Sequence, residues 1–278
     1  MRGLLSLPDL MNLSRSNGID TLALTDVNGM WGFIRFVQHC KDAGIRPIAG
    51  TNLITEKDEV ILLAENQYGY ENMCRAVSAV HDNPNQSVVD ILEKRLAGLF
   101  ILAHDELTLK KLIKIIPDTH LFIELRPGDQ ESLAKRMAKE LKLEMVITGD
   151  VYFRSPSDHD AHITLRAIEN NTTLEQLNIS ECKTDQHWFR SEAEMVTLFP
   201  NSLDALNNSR YLADRCKTDW TFINTIFPGL SLKETHVSNK RLKDKVYAGA
   251  RIRYGEVDET IRQRIEYELD LITQKGFA

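Results

Sequence analysis

An α/β fold followed by an all-helical segment is what this chain predicts, and two observations carry it. Between residues 21 and 148, short apolar runs rich in Leu, Ile, Val and Ala alternate with amphipathic stretches at helical spacing, which fits a sheet wrapped by helices. After Ser155 the strand-like runs stop and helical periodicity alone remains. Alternating strands and helices favour parallel neighbours, so the expected sheet is parallel, closed or open.

The first element is a helix, because Leu7, Leu10, Met11 and Leu13 recur at helical spacing behind Ser6 as cap and Pro8 in the first turn. The most informative stretch follows, at residues 22–53. Thr21-Leu22-Ala23-Leu24 is a strand that breaks on the polar Thr25-Asp26, and Asn28-Gly29 supplies turn chemistry. A helix then carries Trp31, Phe33, Ile34, Val37 and Cys40. Gly44 stops it, and Pro47-Ile48-Ala49 opens the next strand before Gly50. Trp31, Ile34 and Val37, spaced by three, are expected to form a stripe that packs on the sheet, with Phe33 beside it. Asp26 falls at a strand's C-terminal end, where α/β folds keep their chemistry.

Further strands are expected at 60–64, 99–103, 120–125 and 144–148, making six, and helices at 69–80, 88–96, 107–116 and 130–141. Helices at 157–169, 190–199 and 202–216 come next. Phe227-Pro228-Gly229 is rich in breakers and marks a boundary. Two helices close the chain, at 239–254 and 258–275, the second ended by Gly276. Ile261, Ile265, Leu269 and Ile272 form an apolar stripe on the last one, expected to fold back on Leu242, Val246 and Ala250 and to leave enough uncovered for weak self-association.

The formal net charge of −6 argues against a broad nucleic-acid-binding surface on these residues. The basic residues of 239–254, Lys240, Arg241, Lys243, Lys245, Arg251 and Arg253, are expected to be a solvated face rather than a phosphate contact. No run of about 18 apolar residues exists to span a bilayer, and Met1-Arg2-Gly3-Leu4 lacks the features of a signal peptide, so a cytoplasmic location and no membrane partner are expected. Cys40, Cys74, Cys182 and Cys216 are far apart and none forms Cys-x-x-Cys, so buried free thiols are expected rather than disulfides or a thiolate zinc site. Trp31, Trp188 and Trp220 are not interleaved with basic residues and are expected in the core or at its rim.

Several motifs occur in a fixed order: Thr25-Asp26-Val27, Gly29-x-x-x-Phe33, the run Ala43-Gly44-Ile45-Arg46-Pro47-Ile48-Ala49-Gly50, the run Leu62 to Met73 (LLAENQYGYENM), and Ser157-Asp158-His159-Asp160-Ala161-His162. Together they resemble the PHP (polymerase and histidinol phosphatase) domain of bacterial DNA polymerase III alpha subunits. The resemblance implies a distorted seven-stranded βα barrel whose first strand, carrying a His-x-His motif, is absent or trimmed here. It implies a PHP domain at 1–230 and, at 231–278, the helical start of a polymerase palm. Full-length members carry out template-directed nucleotidyl transfer with Mg2+ held by palm aspartates that lie outside this chain. Their partners are DNA, a proofreading exonuclease and a sliding clamp. The PHP domain would serve as scaffold, and in these residues no cofactor is expected.

The resemblance also locates a metal site, and the sequence departs from it. A PHP centre needs several His, Asp and Glu side chains converging to neutralise two or three divalent ions. Val27 stands where the motif has His, Asn52 where an acidic residue is expected, and Tyr152 where Asp-x-His would place imidazole, within Asp150-Val151-Tyr152. Asp26 and Asp150 are the residual metal-binding candidates; two carboxylates can hold a weak magnesium through waters but cannot build the cluster. No catalytic residue is assigned. A free-standing phosphoesterase or 3′-exonuclease is the competing reading, and the related error-prone polymerase shares the layout.

Three further groups carry chemistry on their own spacing. His159 and His162 could share a metal, but with no third ligand adjacent His162 is expected to pack or cap and His159 to be solvated. His104-Asp105 could be an acid/base pair, with a helix start the stronger reading. Glu124, inside an apolar strand, is expected to be a buried carboxylate with Arg126 as the nearest partner in sequence.

Overall fold

The computed structural model describes residues 3–179, 182–217 and 235–277. It divides into two compact units, residues 1–220 and 221–278. The Phe227-Pro228-Gly229 breaker and Trp220 fall outside the described residues.

The first unit opens with α1 (Leu7–Ser16), where Ser6 accepts from the Asp9 amide as its N-cap. The six strands are β1 (Thr21–Val27), β2 (Arg46–Ile54), β3 (Glu59–Ala64), β4 (Leu99–Ala103), β5 (Leu121–Leu125) and β6 (Met145–Ile147). They form one mixed sheet in chain order, curled into a half-barrel. The expectation of a parallel sheet fails at β3, which runs antiparallel to both β2 and β4. The reason is local. Only residues 55–58 join β2 to β3, too few for a crossover helix, so the chain turns back as a hairpin. Thr55 and Asp58 hold that turn, with Thr55 N donating to Asp58 O at 2.9 Å.

Six helices cover one face of the sheet: α1, α2 (Phe33–Ala43), α3 (Gln67–Asp82), α4 (Val88–Leu92), α5 (Glu106–Leu112) and α6 (Glu131–Leu141). Against them pack the outward residues of each strand, such as Leu53, Leu62, Ile101, Ile123 and Ile147. The alternate residues, Ile48, Leu63, Phe100, Leu102, Phe122 and Val146, line the inner face. That inner core is completed by Leu212 and Cys216 at the C-terminal end of α9 (Leu203–Arg215), which follows α7 (His159–Glu169) and α8 (Glu192–Leu198). One strand-face periodicity thus builds two cores.

The predicted Trp31–Ile34–Val37 stripe is not the buried one. Trp31 is 77% exposed and Ile34 55%, while Phe33, Phe36 and Cys40 are buried and Val37 packs at their edge. Helix α2 begins at Phe33, so Trp31 precedes it and does not share its register. The face that repeats from Phe33 is Phe33, Phe36, Val37, Cys40, the i, i+3, i+4, i+7 pattern.

In the second unit, α10 (Thr235–Tyr254) and α11 (Glu259–Gln274) pack together. Leu269 and Ala250 are buried, and Ile261, Ile265, Ile272, Leu242 and Val246 are half-buried, as the stripe predicted. Lys243 and Tyr247 both bond Glu266, at 2.9 and 2.6 Å.

Candidate functional site

The inner row of the sheet changes character at one end. At the C-terminal ends of the parallel strands, and the start of the antiparallel β3, the inner row that packs Ala23, Ile48, Ile61, Leu102, Phe122 and Val146 goes on, past Thr25 in β1 and Gly50 in β2, to Val27, Asn52, Glu59, His104, Glu124 and Thr148. An apolar row thus becomes a polar band.

Contacts run along this band from strand to strand. Asn52 Nδ2 donates to Glu59 Oε1 at 2.7 Å, whereas its buried Oδ1 has no hydrogen-bond partner. Glu124 is 3% exposed and accepts from Thr148 Oγ1 at 2.6 Å; His104 Nδ1 stands 3.9 Å away. Burial pushes the Glu124 carboxyl up to about 7, against the opposing charge of Arg126 and the Thr148 hydrogen bond. Burial also lowers His104, with the Arg126 charge adding to it. Near neutral pH the two are therefore a weakly charged contact rather than an ion pair. Arg126 itself bonds Asp129, through its amide at 2.9 Å and Nε at 3.2 Å. The sequence pairing of Glu124 with Arg126 holds only through charge, and Thr148 supplies the bond.

Asp150 lies just beyond β6, in the left-handed region at φ 40°, a conformation that Asp tolerates better than most residues. Its Oδ2 accepts from Lys183 Nζ at 2.5 Å and meets His187 Nδ1 at 3.1 Å. His187 Nδ1 also faces the Asp150 carbonyl at 3.1 Å, so both neighbours are acceptors and this nitrogen carries the proton. Burial raises Asp150, but the His187 hydrogen bond and the Lys183 charge outweigh it and hold the carboxyl well below the usual carboxylate range.

The two α7 histidines converge on Lys183. His162, buried, accepts from the Lys183 amide at 3.2 Å, and His159 Nε2 faces the Lys183 carbonyl at 3.0 Å. His162 therefore packs, as expected, whereas His159 is engaged rather than solvated. Tyr152 places its ring 4.9 Å from Lys183 Nζ. Asp105 caps α5 by accepting from the Thr108 amide at 2.8 Å, the helix-start reading, while His104 points into the band.

Asp26 follows a different path. Leu22 and Leu24, on its side of β1, pack on the helix-covered core, and Asp26 Oδ2 accepts from the Gly32 amide at 2.8 Å at the entrance to α2. Its contacts are with that loop, and Asp150's are with Lys183 and His187. Sequence reasoning missed Glu59, Thr148, Lys183 and His187. Glu59 and Thr148 had a signal, being in step with Asn52 and Glu124, but Lys183 and His187 had none.

A multi-metal centre does not fit these residues. Asp150 is already neutralised by an ammonium, Glu59 is bonded by an amide, and Val27 offers no donor. Among the described residues no group of three His, Cys, Asp or Glu side chains is arranged to hold a metal ion.

The chain belongs to the PHP domain family, whose model matches residues 1–152. Its homology is to the N-terminal region of bacterial replicative and error-prone polymerases. It is 28% identical to the DNA polymerase III subunit alpha of Pasteurella multocida, over all of this chain and 28% of the relative. It is 26% identical to the error-prone DNA polymerase of Symbiobacterium thermophilum, over 98% of this chain and 29% of that protein. The DNA polymerase III subunit alpha of Pseudomonas fluorescens gives 26%, with 99% and 27% covered. The chain thus spans little more than a quarter of the length of these relatives.

Proposed function

We propose that this PHP region is a non-hydrolytic scaffold within a DNA polymerase of the III alpha type, with the palm beginning near residue 231. The observation that carries the reading is the internal compensation of the polar band: Asp150 is held by Lys183 and His187 in place of a metal. The scaffold would stabilise the polymerase and dock a proofreading exonuclease. DNA, the sliding clamp and the Mg2+ of template-directed synthesis belong to the rest of such a protein. Relatives of both kinds match at nearly the same identity, so the error-prone polymerase is the second reading. No described helix is long and apolar enough to cross a membrane.

Of the two residual metal candidates, Asp26 and Asp150, each is already engaged by a protein donor, which favours scaffold over phosphoesterase. Hydrolysis of a phosphate monoester and of a DNA 3′ end, assayed with Mn2+ and with Zn2+, should stay at background. Metal-dependent turnover that disappears in Asp26→Ala or Asp150→Ala would overturn the scaffold reading.

A further inference from the structure

The Asp150 carboxylate takes its donors from this chain, and the strongest of them is unusually well held. A lysine on a flexible stem is ordinarily a mobile point charge. Lys183 is pinned at its backbone on both sides, its amide by His162 and its carbonyl by His159, three residues apart on α7. Its side chain then crosses the Tyr152 ring and ends on Asp150 Oδ2. Tyr152 occupies the position where the resemblance puts an imidazole. The substitution that removes a metal donor thus supplies a π-face for an ammonium.

We infer that Lys183 is the resident cation of this site, a tethered ammonium that His159 and His162 present to Asp150 in the place where a divalent ion would have to bind. A metal on Asp150 would meet the like charge of Nζ at contact distance, so the lysine excludes it. His159 and His162 are therefore positioning residues, acting through the Lys183 backbone rather than as ligands. The inference rests on the scaffold reading and deepens it.

The test removes the ammonium and keeps the length of the stem. Wild type, Lys183→Met and Lys183→Met/Asp150→Asn are equilibrated with Zn2+, which binds mixed nitrogen and oxygen donors more tightly than Mg2+ or Mn2+, and bound metal is measured by dialysis. Lys183→Met is expected to bind Zn2+ weakly through the freed Asp150 carboxylate, above the level of wild type, and to lose that binding in the double variant. Uptake by Lys183→Met no greater than that of wild type, or equal uptake by the double variant, overturns the inference. Should Lys183→Met fail to fold, the double variant decides: a recovered fold supports the tethered pair, and an unfolded double variant overturns it. The two readings fail separately. Zn2+ bound by wild type and lost in Asp150→Ala brings down the scaffold reading as well, whereas an empty wild type with an equally empty Lys183→Met brings down this inference alone.

Discussion

The two ends of the inner sheet face are closed by different physics. At the N-terminal end of the parallel strands, helix α9 brings Leu212 and Cys216 into one core with Phe100 and Phe122, and arginines of β2 and α9 rim it. Arg46 donates to the Ala213 and Cys216 carbonyls at 2.6 and 2.8 Å, Arg210 reaches Asp20 at 2.9 Å, and Arg215 reaches Glu65 at 2.8 Å while its guanidinium lies 4.6 Å from the Phe100 ring. Those charges sit at a wet rim and give orientation more than energy. At the opposite end Glu59, Glu124 and Asp150 are satisfied one by one, by an amide, a hydroxyl and an ammonium. Buried charges left unpaired are costly, so this end is stable only while its pairs are complete. Packing secures one end and charge matching the other.

Phe100→Ala should give the largest effect. Phe100 is fully buried and stacks on His120 at 5.1 Å, so its loss removes the centre of the packed end and should cost about 3–5 kcal/mol in chemical denaturation. A cost below about 1 kcal/mol would mean that α9, and not the aromatic core, secures this end.

Glu124→Gln probes the matched end through pH. The folded carboxyl titrates near 7 and the unfolded one near 4.5, so the folded state holds the extra proton between those values. The resulting stability is fully present below about 4.5 and is lost as pH rises through about 7. His104, whose basicity is lowered, works in the opposite sense, so the slope is read as wild type minus variant. Glu124→Gln should remove that slope and gain on the order of 2–3 kcal/mol relative to wild type at pH 8. Parallel profiles for the two proteins would contradict it.

Arg215→Met should cost only about 0.5–1 kcal/mol, and less at high salt, because the Arg215–Glu65 pair is partly exposed. A loss several times larger and independent of salt would erase the distinction between the two ends. Smallest of all, Ile34→Ala should change stability by under about 0.5 kcal/mol, since Ile34 is half exposed on α2.

What the sequence reveals divides along the same line as the two ends. The packed parts were legible because a period of two or of 3.6 writes burial into consecutive residues: β1, α2, β2 and the α10–α11 pair came out as elements, and α2 and α11 end on Gly44 and Gly276 in left-handed conformations, although the starts of α2 and α10 were displaced. Where periodicity misled, the error had a definite source. Trp31 precedes the first turn of α2 and Ile34 lies on its exposed face, so their spacing of three marks no buried stripe, and the short 55–58 link, a hairpin signal, outweighs strand alternation. The matched end was legible in what it lacks, at Val27, Asn52 and Tyr152, but not in what replaces it. Lys183 and His187 lie 33 and 37 residues beyond Asp150, in a loop whose return to β6 depends on the packing of α7. No local spacing encodes that meeting.

Metal analysis of the purified chain tests the central claim most directly. If the polar end is balanced by its own lysine, histidine and hydroxyl groups, protein prepared without chelator should carry Mn, Fe and Zn far below one ion per chain. A stoichiometric transition metal, lost together with thermal stability in Asp150→Ala, would contradict it.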